Sequence, residues 1–321
     1  MIVGNGRPNA RKRGRARRPA NDAGMTRVQW TMGLMSSALL RRSLVLGVFV
    51  LGFAQSAAAQ MQRVTLSVDG LSRSYELQVP AEGRNYPLLL VFHPGLSDPE
   101  RFARVSGFAD LAAQQKFAVA FLAGTDVGSL FVHGLVWNAG GCCSKAMREG
   151  IDDVAFVRAV IQQVTAKYPV DAHRIYAAGF SNGAMLVNVL AERLAGQIAA
   201  AAMVEGAGFR PVPPGRPLPV IIIHTLDDDI VPYAGGPSPN RMVQQSAPFL
   251  PVEETVGGWV DRDVCRSKDS KRKNGYTVID YGKCSGGAVT FIVVNSGGHH
   301  WLRSPLDETT IIWDFLSRFS D

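Results

Sequence analysis

The sequence predicts an α/β domain with a mostly parallel central sheet and helices on both faces. Solid apolar runs, such as residues 86–93 and 218–224, lack the polar alternation of half-exposed strands and are typical of strands buried on both sides. They alternate with segments of helical periodicity such as 152–168, and this order is typical of parallel strands joined by helices. We therefore expect functional side chains where these strands end, at the carboxyl edge of the sheet.

The first 59 residues predict an export leader. Arg41-Arg42 precede an apolar stretch at 43–54, which is shorter than the ~20 residues that span a bilayer. Small residues at 56–59 are typical of a cleavage site after Ala59. We therefore expect residues 1–59 to be an N-terminal extension and signal peptide, and residues 60–321 to be a single secreted domain. The alternative is an uncleaved N-terminal anchor.

The charge of the chain is concentrated in this leader. The formal net charge is +7 over 321 residues, but residues 1–59 hold ten lysines and arginines against the single acid Asp22. They carry +9, which leaves −2 for residues 60–321. We therefore expect no nucleic-acid partner for the mature protein, and no membrane association after signal cleavage, because no later run is long and apolar enough.

The predicted elements begin with two strands around a turn at Asp69-Gly70, which suits an antiparallel pair. Asp98-Pro99 is a favourable helix start, and the helix over 152–168 places Val154, Val157, Ile161 and Val164 on one face. The predicted strands are 63–68, 74–80, 86–93, 117–122, 174–179, 199–206, 218–224, and two near 276–281 and 288–294. The predicted helices are 98–116, 152–168, 184–195, 252–262 and 307–319.

The stretch Gly179-Phe180-Ser181-Asn182-Gly183 is a G-x-S-x-G between a predicted strand and a predicted helix. A nucleophile elbow needs this context, since the tight turn lifts the serine hydroxyl above the sheet edge. The two outer glycines have no Cβ to clash, and the positive end of the following helix faces a developing oxyanion. An ordinary glycine-rich turn is the alternative, but the strand–turn–helix order favours Ser181 as a catalytic nucleophile.

A nucleophilic serine needs a base, and the base needs an orienting acid. His299 and His300 follow the last predicted strand, in a glycine-flanked loop that can fold back over the serine. Three consecutive acids at 227–229 follow the strand that ends at 224, and Glu205, after the preceding strand, is the alternative acid. The chain order serine, aspartate, histidine is the one expected of an α/β-hydrolase fold.

Six stretches together resemble the secreted esterases that group polyhydroxybutyrate depolymerase-like enzymes with feruloyl and acetylxylan esterases. They are WNAGGCC, GIDDVAFVRAVI, RIYAAGFSNGAM, VIIIHTLDDDIVPYAGG, GGHHW and TTIIWDFLSRF. The resemblance runs from about residue 73 to 319. It implies an α/β-hydrolase fold, with residues 60–321 as a single catalytic domain that needs no cofactor.

The resemblance also selects the site residues. The family's H-G-T-x-D followed by V-P-Y implies that the acid is Asp228, and its G-G-H-T-W implies that the base is His299. With Ser181 as the nucleophile, these residues would form a Ser-His-Asp triad.

Three departures from the family pattern lie near the expected site. The chain reads His93-Pro94-Gly95 where the family has H-G-G, and proline has no N–H to donate to an oxyanion. We therefore expect Gly95 or Leu96 to donate, together with the N–H of Asn182. Thr225 stands in place of a family glycine and Leu302-Arg303 in place of a Pro-Gly, so we expect the rim of the site to differ.

Four cysteines in an exported chain suggest disulfides. The resemblance implies a bridge between Cys265 and Cys284, whereas the adjacent Cys142 and Cys143 could be bridged or free. Neither the cysteines nor the histidines show metal-ligand spacing, so we expect no metal site.

Two further features have a possible functional interpretation and a structural one. Trp137 and Trp301 are candidates to stack on a substrate, although tryptophan is equally common in a buried position. Asp152-Asp153 is better explained as a helix start, where acids favour the helix dipole, than as a catalytic pair.

The sequence therefore predicts a secreted serine carboxylic-ester hydrolase. Its partner would be a small-molecule or oligomeric ester, either polyhydroxybutyrate-type oligomers or feruloyl and acetyl esters of plant walls. A different class of function, a non-catalytic ligand-binding protein on the same scaffold, is the alternative because fold does not dictate function. The presence of Ser181, Asp228 and His299 in this order argues against that alternative.

Overall fold

The computed structural model describes residues 61–240, 243 and 247–321. The predicted leader, including its cleavage site after Ala59, lies outside the described residues, as does the predicted boundary of the domain.

A ten-stranded sheet forms the centre of this described region, and a separate two-stranded hairpin lies beside it. In chain order the strands are β1 (Gln62–Val68), β2 (Leu71–Gln78), β3 (Tyr86–Phe92), β4 (Ala118–Leu122), β5 (Thr125–Asp126), β6 (Leu135–Val136), β7 (Val170–Phe180), β8 (Ala200–Val204), β9 (Val220–Thr225), β10 (Ser267–Arg272), β11 (Tyr276–Gly282) and β12 (Val289–Val294). The helices are α1 (Pro99–Ser106), α2 (Phe108–Gln115), α3 (Ser144–Arg148), α4 (Asp153–Lys167), α5 (Asn182–Arg193), α6 (Val252–Arg262) and α7 (Glu308–Leu316).

The order across the sheet is β1-β2-β4-β3-β7-β8-β9-β12-β11-β10. The six central strands, from β4 to β12, pair in parallel, and antiparallel strands flank them at both edges. The predicted mostly parallel sheet is confirmed. Its carboxyl edge collects the ends of β3, β7, β8, β9 and β12, which are the positions where we expected functional side chains.

Helices cover both faces because alternate residues of each central strand point to opposite sides. In β3, Leu88 and Leu90 join one buried cluster, whereas Leu89 and Val91 join the other. Helices α4, α5 and α6 contribute to the first cluster, and α1, α2 and α7 contribute to the second. Full burial of each large apolar side chain contributes about 1.5–3 kcal/mol, so these two clusters hold the layers together.

The predicted helix over 98–116 is two helices. Gly107 lies between them with φ of +68°, a left-handed conformation that ends α1 and redirects the chain. The break lets Phe102 and Phe108 both enter the core. The predicted start at Asp98 is confirmed, since its side chain accepts a hydrogen bond from the N–H of Arg101.

Three elements were not predicted: the β5–β6 hairpin, α3 and β10. Strand β10 is an exposed edge strand of sequence SKDSKR, and it has no apolar residue to produce a period of two. It exists because it pairs with β11, and its charged side chains are typical of a sheet edge protected against further pairing.

The predicted disulfide links the two ends of the β10–β11 hairpin. Cys265 and Cys284 are bridged, across a sequence separation of 19 residues that encloses the β10–β11 hairpin. By the chain-entropy estimate, a loop of this length contributes about 3 kcal/mol to stability. Cys142 and Cys143 are also paired with each other, so the described cysteines are all in disulfides.

Candidate active site

Ser181 lies between β7 and α5, at the carboxyl edge of the sheet. Its φ of +55° and ψ of −123° are strained for a residue with a side chain. The Ser181 N–H donates to the carbonyl of Val204, 2.8 Å away, which anchors the turn to β8. A Cβ at Gly179 would collide with the carbonyl of Gly183, and one at Gly183 would collide with the carbonyls of Phe92 and His93, where β3 ends. This turn therefore needs both glycines of the G-x-S-x-G.

The structure brings Ser181, His299 and Asp228 into one chain of hydrogen bonds. His299 Nε2 lies 2.7 Å from Ser181 Oγ, and His299 Nδ1 lies 2.7 Å from Asp228 Oδ2. Asp228 Oδ1 accepts the amide hydrogens of Ile230 and Val231, each at 2.8 Å. This is the arrangement of a nucleophile, a base and an orienting acid. The neighbouring His300 is exposed.

The hydrogen bonds and charges around Asp228 keep its carboxyl group ionised. Burial alone would raise the pKa of Asp228, but the hydrogen bond and charge of His299, with smaller effects from Glu205 and the Val231 amide, hold that pKa below its ordinary value. Asp228 is therefore a carboxylate at neutral pH. A carboxylate at this position can hold the imidazole in the tautomer whose Nε2 accepts a proton.

Asp227 holds the loop that carries His299, a role that the sequence did not reveal. Its Oδ1 accepts the N–H groups of Gly297 and Gly298 at 2.9 and 2.8 Å, and its Oδ2 accepts the hydroxyl of Ser296 at 2.7 Å. These hydrogen bonds lower the pKa of Asp227 to about 2, and the one from Ser296 has the largest effect. The sequence contained one indication of this role: the two glycines before His299 have backbone amides that need an acceptor.

The oxyanion expectation needs one correction. The N–H of Leu96 donates to the carbonyl of Leu135 at 2.9 Å, so backbone pairing already engages this amide. Gly95 is then the candidate donor from this loop. It lines the same cavity as Ser181 and Asn182, and Asn182 is the first residue of α5, where amides have no partner within the helix.

The expectation that Trp137 and Trp301 stack on a substrate is also corrected. Trp137 is fully buried, and its Nε1 donates to the carbonyl of His93 at 2.9 Å. Trp301 is 9% exposed, and its Nε1 donates to Thr309 Oγ1 at 3.1 Å. Neither residue lines the cavity, so both act as packing residues beneath the loops that form the site.

The loop of Trp137 is fixed from two sides. The amide side chain of Asn182 accepts the Trp137 N–H at 2.7 Å and donates to its carbonyl at 3.2 Å. Asp153 accepts the Asn138 N–H at 2.8 Å and forms a buried ion pair of 2.6 Å with Arg73. Asp152 caps α4 as expected of a helix start, but Asp153 mainly ties this loop to the sheet.

The site opens into a cavity of about 300 Å³. Apart from His299, the described residues that line it carry no acidic or basic side chain. They are Pro94, Gly95, Leu96, Val136, Cys142, Cys143, Ser144, Phe180, Ser181, Asn182, Met185, Ile230, Val231, Asn240, Val243 and His299. A mostly apolar wall of this kind favours a neutral group over a charged one, since burying an unpaired charge is costly.

Among the described residues, one group could hold a metal ion: Glu205, Asp228 and His299, with ligand atoms within 4.8 Å of one another. Both ring nitrogens of His299 are already hydrogen-bonded, one to Asp228 and one to Ser181. A metal would have to displace at least one of these bonds. The expectation of no metal stays a prediction. Glu205, the alternative acid, has an oxygen within 4.8 Å of the ligand atoms of both Asp228 and His299, but it is Asp228 that accepts the hydrogen bond of His299.

Comparisons with known proteins identify relatives of the chain. The family model described as "Esterase PHB depolymerase" matches residues 71–212, a range that contains Ser181 and ends before Asp228. Feruloyl esterase B of Piromyces equi is 32% identical over 246 residues, which are 73% of this chain and 42% of that protein. The chain thus spans less than half of that relative's length. The protein described as "Putative esterase NocK", of Nocardia uniformis subsp. tsuyamanensis, is 30% identical over 73% of this chain and 72% of its own length.

Solved structures resemble the chain in fold. An acetyl xylan esterase from Aspergillus awamori matches with a TM-score of 0.60 at 14% identity, over 80% of this chain and 99% of that one. A cold-adapted esterase from an Arctic intertidal metagenomic library, solved as a PEG-bound complex, matches with a TM-score of 0.52 at 15% identity, over 83% of this chain and 96% of that one. The predicted α/β-hydrolase fold is confirmed.

Proposed function

The chain belongs to the Esterase PHB depolymerase family, and from that premise we propose that it hydrolyses carboxylic esters with Ser181 as the nucleophile. One observation carries the proposal. His299 hydrogen-bonds to both Ser181 and Asp228, at 2.7 Å each, at the wall of a mostly apolar cavity. A ligand-binding protein without catalysis would have no need of this arrangement on a strained turn.

The proposed reaction has two halves. Ser181 Oγ attacks the ester carbonyl carbon while His299 Nε2 takes its proton, and the amides of Gly95 and Asn182 stabilise the oxyanion. Asp228 stabilises the imidazolium, which then protonates the leaving alkoxide, so an alcohol departs and an acyl-enzyme remains. Water, deprotonated by His299, attacks this acyl group. His299 then returns the proton to Ser181 Oγ as the bond to the acyl carbon breaks, so the carboxylic acid leaves and the Ser181 hydroxyl is restored.

The proposed substrates are neutral esters with a compact acyl group. The size of the cavity and its uncharged wall support this. The name of feruloyl esterase B supports feruloyl esters, and that of another relative, a bifunctional acetylxylan esterase/xylanase 25% identical over 78% of this chain, supports acetyl esters of xylan. The family description adds polyhydroxybutyrate oligomers. We propose that the substrate of this chain lies within these three classes.

Purified residues 60–321 should be assayed on short-chain p-nitrophenyl esters, methyl ferulate, acetylated xylan and hydroxybutyrate oligomers. Hydrolysis of at least one, lost in Ser181→Ala, would support the proposal. Failure on the whole panel by a folded protein would refute it.

We also propose that the protein is exported. Disulfides persist in oxidising compartments, and the described chain contains two. No helix in the described part reaches the length and hydrophobicity needed to cross a bilayer. We expect Gln60 as the first residue of the secreted protein, as measured by N-terminal mass spectrometry. Retention of residues 43–54 would contradict cleavage after Ala59.

The hydrogen bonds between Asp227 and the His299 loop lead to a prediction with a matched control. Asp227→Ala removes the acceptor of two loop amides and of the Ser296 hydroxyl, so His299 should be held less firmly. We expect kcat on a soluble ester to fall on the order of tenfold, with KM little changed. Asp229→Ala, at the exposed neighbour, should stay within about twofold of the wild type. Equal effects of the two substitutions would contradict the role of Asp227 in holding this loop.

A further inference from the structure

Glu205 is a fully buried acid immediately after β8. Its backbone φ of +48° lies in the left-handed region, which residues with a side chain rarely adopt. Strain of this kind is concentrated at functional sites. Glu205 has no role in the proposed reaction, so its burial in a strained conformation needs a physical reason.

The side chain of Glu205 bridges the elements that carry the acid and the base. Its Oε1 and Oε2 lie 3.0 and 3.2 Å from the amide nitrogen of Thr225, which donates to them. Its carboxyl also lies next to that of Asp228, with an oxygen of each within 4.8 Å of the other. Thr225 Oγ1 in turn donates to the carbonyl of Gly298 at 2.9 Å, in the loop of His299. The threonine that replaces a family glycine is therefore part of this connection.

Two buried carboxyl groups this close repel each other when both are charged, so one of them keeps its proton. The position of that proton depends on the surrounding charges. Asp228 already accepts the hydrogen bonds of His299 and two backbone amides, which favour its charged form. Glu205 accepts only one backbone amide in the described hydrogen bonds and is more deeply buried.

The other titratable groups near Glu205 do not favour its charged form. His224 Nε2 lies 3.4 Å from Glu205 Oε2, but burial lowers the pKa of His224 to about 4, so it is neutral at pH 7. Glu308 is buried too, and burial raises its pKa to about 8. Burial first, and then the hydrogen bond and charge of Asp228, raise the pKa of Glu205 well above its usual range.

We propose that Glu205 is a positioning residue: as a neutral carboxylic acid it donates a hydrogen bond to Asp228 and so fixes the carboxylate that orients His299. This inference rests on the function proposed above. Glu205 does not touch the reacting atoms, and it acts on His299 through Asp228.

Two substitutions separate this role from simple packing. Glu205→Gln keeps an oxygen to accept the Thr225 amide and an N–H to donate to Asp228, whereas Glu205→Leu has a similar volume and neither group. We expect Glu205→Gln to retain kcat within about threefold, and Glu205→Leu to lower kcat about 10–100-fold with KM unchanged. Wild-type kcat in a folded Glu205→Leu variant would overturn the proposal.

The pH profile of kcat/KM tests the charge of Glu205. If Glu205 were ionised, Glu205→Gln would remove a negative charge near His299 and destabilise the imidazolium. The acidic limb would then move to lower pH, by about one unit for a close buried charge. A neutral Glu205 predicts an acidic limb that does not move. A shift to lower pH would overturn the proposal.

A third measurement does not depend on turnover or on the folding of Glu205→Leu. The infrared difference spectrum between wild type and Glu205→Gln at pH 7 should contain the C=O stretch of a protonated carboxylic acid. Its absence would refute the proposal. Wild-type ester hydrolysis and its loss in Ser181→Ala are measured first. An inactive wild type would refute the proposed function, whereas the infrared result would still decide the protonation state of Glu205.

Discussion

His299→Ala is expected to lower kcat for ester hydrolysis as severely as Ser181→Ala, on the order of 10⁴–10⁶-fold. The imidazole is hydrogen-bonded to Ser181 Oγ at 2.7 Å, and without it the hydroxyl has no base to take its proton. The double substitution should add little to either single one, because residues that act as a unit lose their function together. Steady-state kinetics on a soluble ester, with circular dichroism to verify folding, measure these effects.

The matched control is His300→Ala. His300 is adjacent in the same loop and exposed, so its removal should affect substrate binding or loop order with a much milder loss of kcat. Near-normal hydrolysis by His299→Ala, together with collapse in His300→Ala, would contradict the assignment of the base.

Asp228→Asn is expected to lower kcat about 10⁴-fold, which is the loss seen when the same change is made in a serine protease triad. Asp228 Oδ1 accepts two backbone amides, so an asparagine would keep its carbonyl oxygen there and turn its NH₂ group toward His299 Nδ1. The imidazole would then carry its proton on Nε2, next to Ser181, and could not accept another.

Asp229→Asn makes the same chemical change at the exposed neighbour and should stay near wild-type kcat. The measurement is kcat and KM for both variants on one ester. An Asp228→Asn enzyme within tenfold of the wild type would show that the carboxylate does not set the tautomer of His299.

The sequence could predict that Ser181, Asp228 and His299 lie near one another because each follows a strand of recognisable apolar character. Parallel strands end at one edge, so residues far apart in the chain converge there. The structure places the three side chains in hydrogen-bond contact by this route. The apolar runs predicted the parallel sheet, and the helical periodicity between them predicted most of its helices.

Features that depend on tertiary contacts could not be predicted in this way. The amide of Leu96 is engaged by Leu135, which belongs to a strand of two residues, too short to produce a period. Trp137 and Trp301 looked like possible stacking platforms because an aromatic residue in a loop has no local sign of burial. The hydrogen bonds of Asp227 and of Glu205 likewise depend on amides from distant segments.

The central claim, that Ser181 is an activated nucleophile, is tested most directly by covalent labelling with an organophosphonate. Mass spectrometry of the wild type is expected to show one adduct per chain, on the peptide that contains Ser181. Ser181→Ala should show no adduct, and His299→Ala should react much more slowly because its serine has no base. A wild type that hydrolyses esters while Ser181 stays unmodified, or an adduct that persists in Ser181→Ala, would contradict the claim.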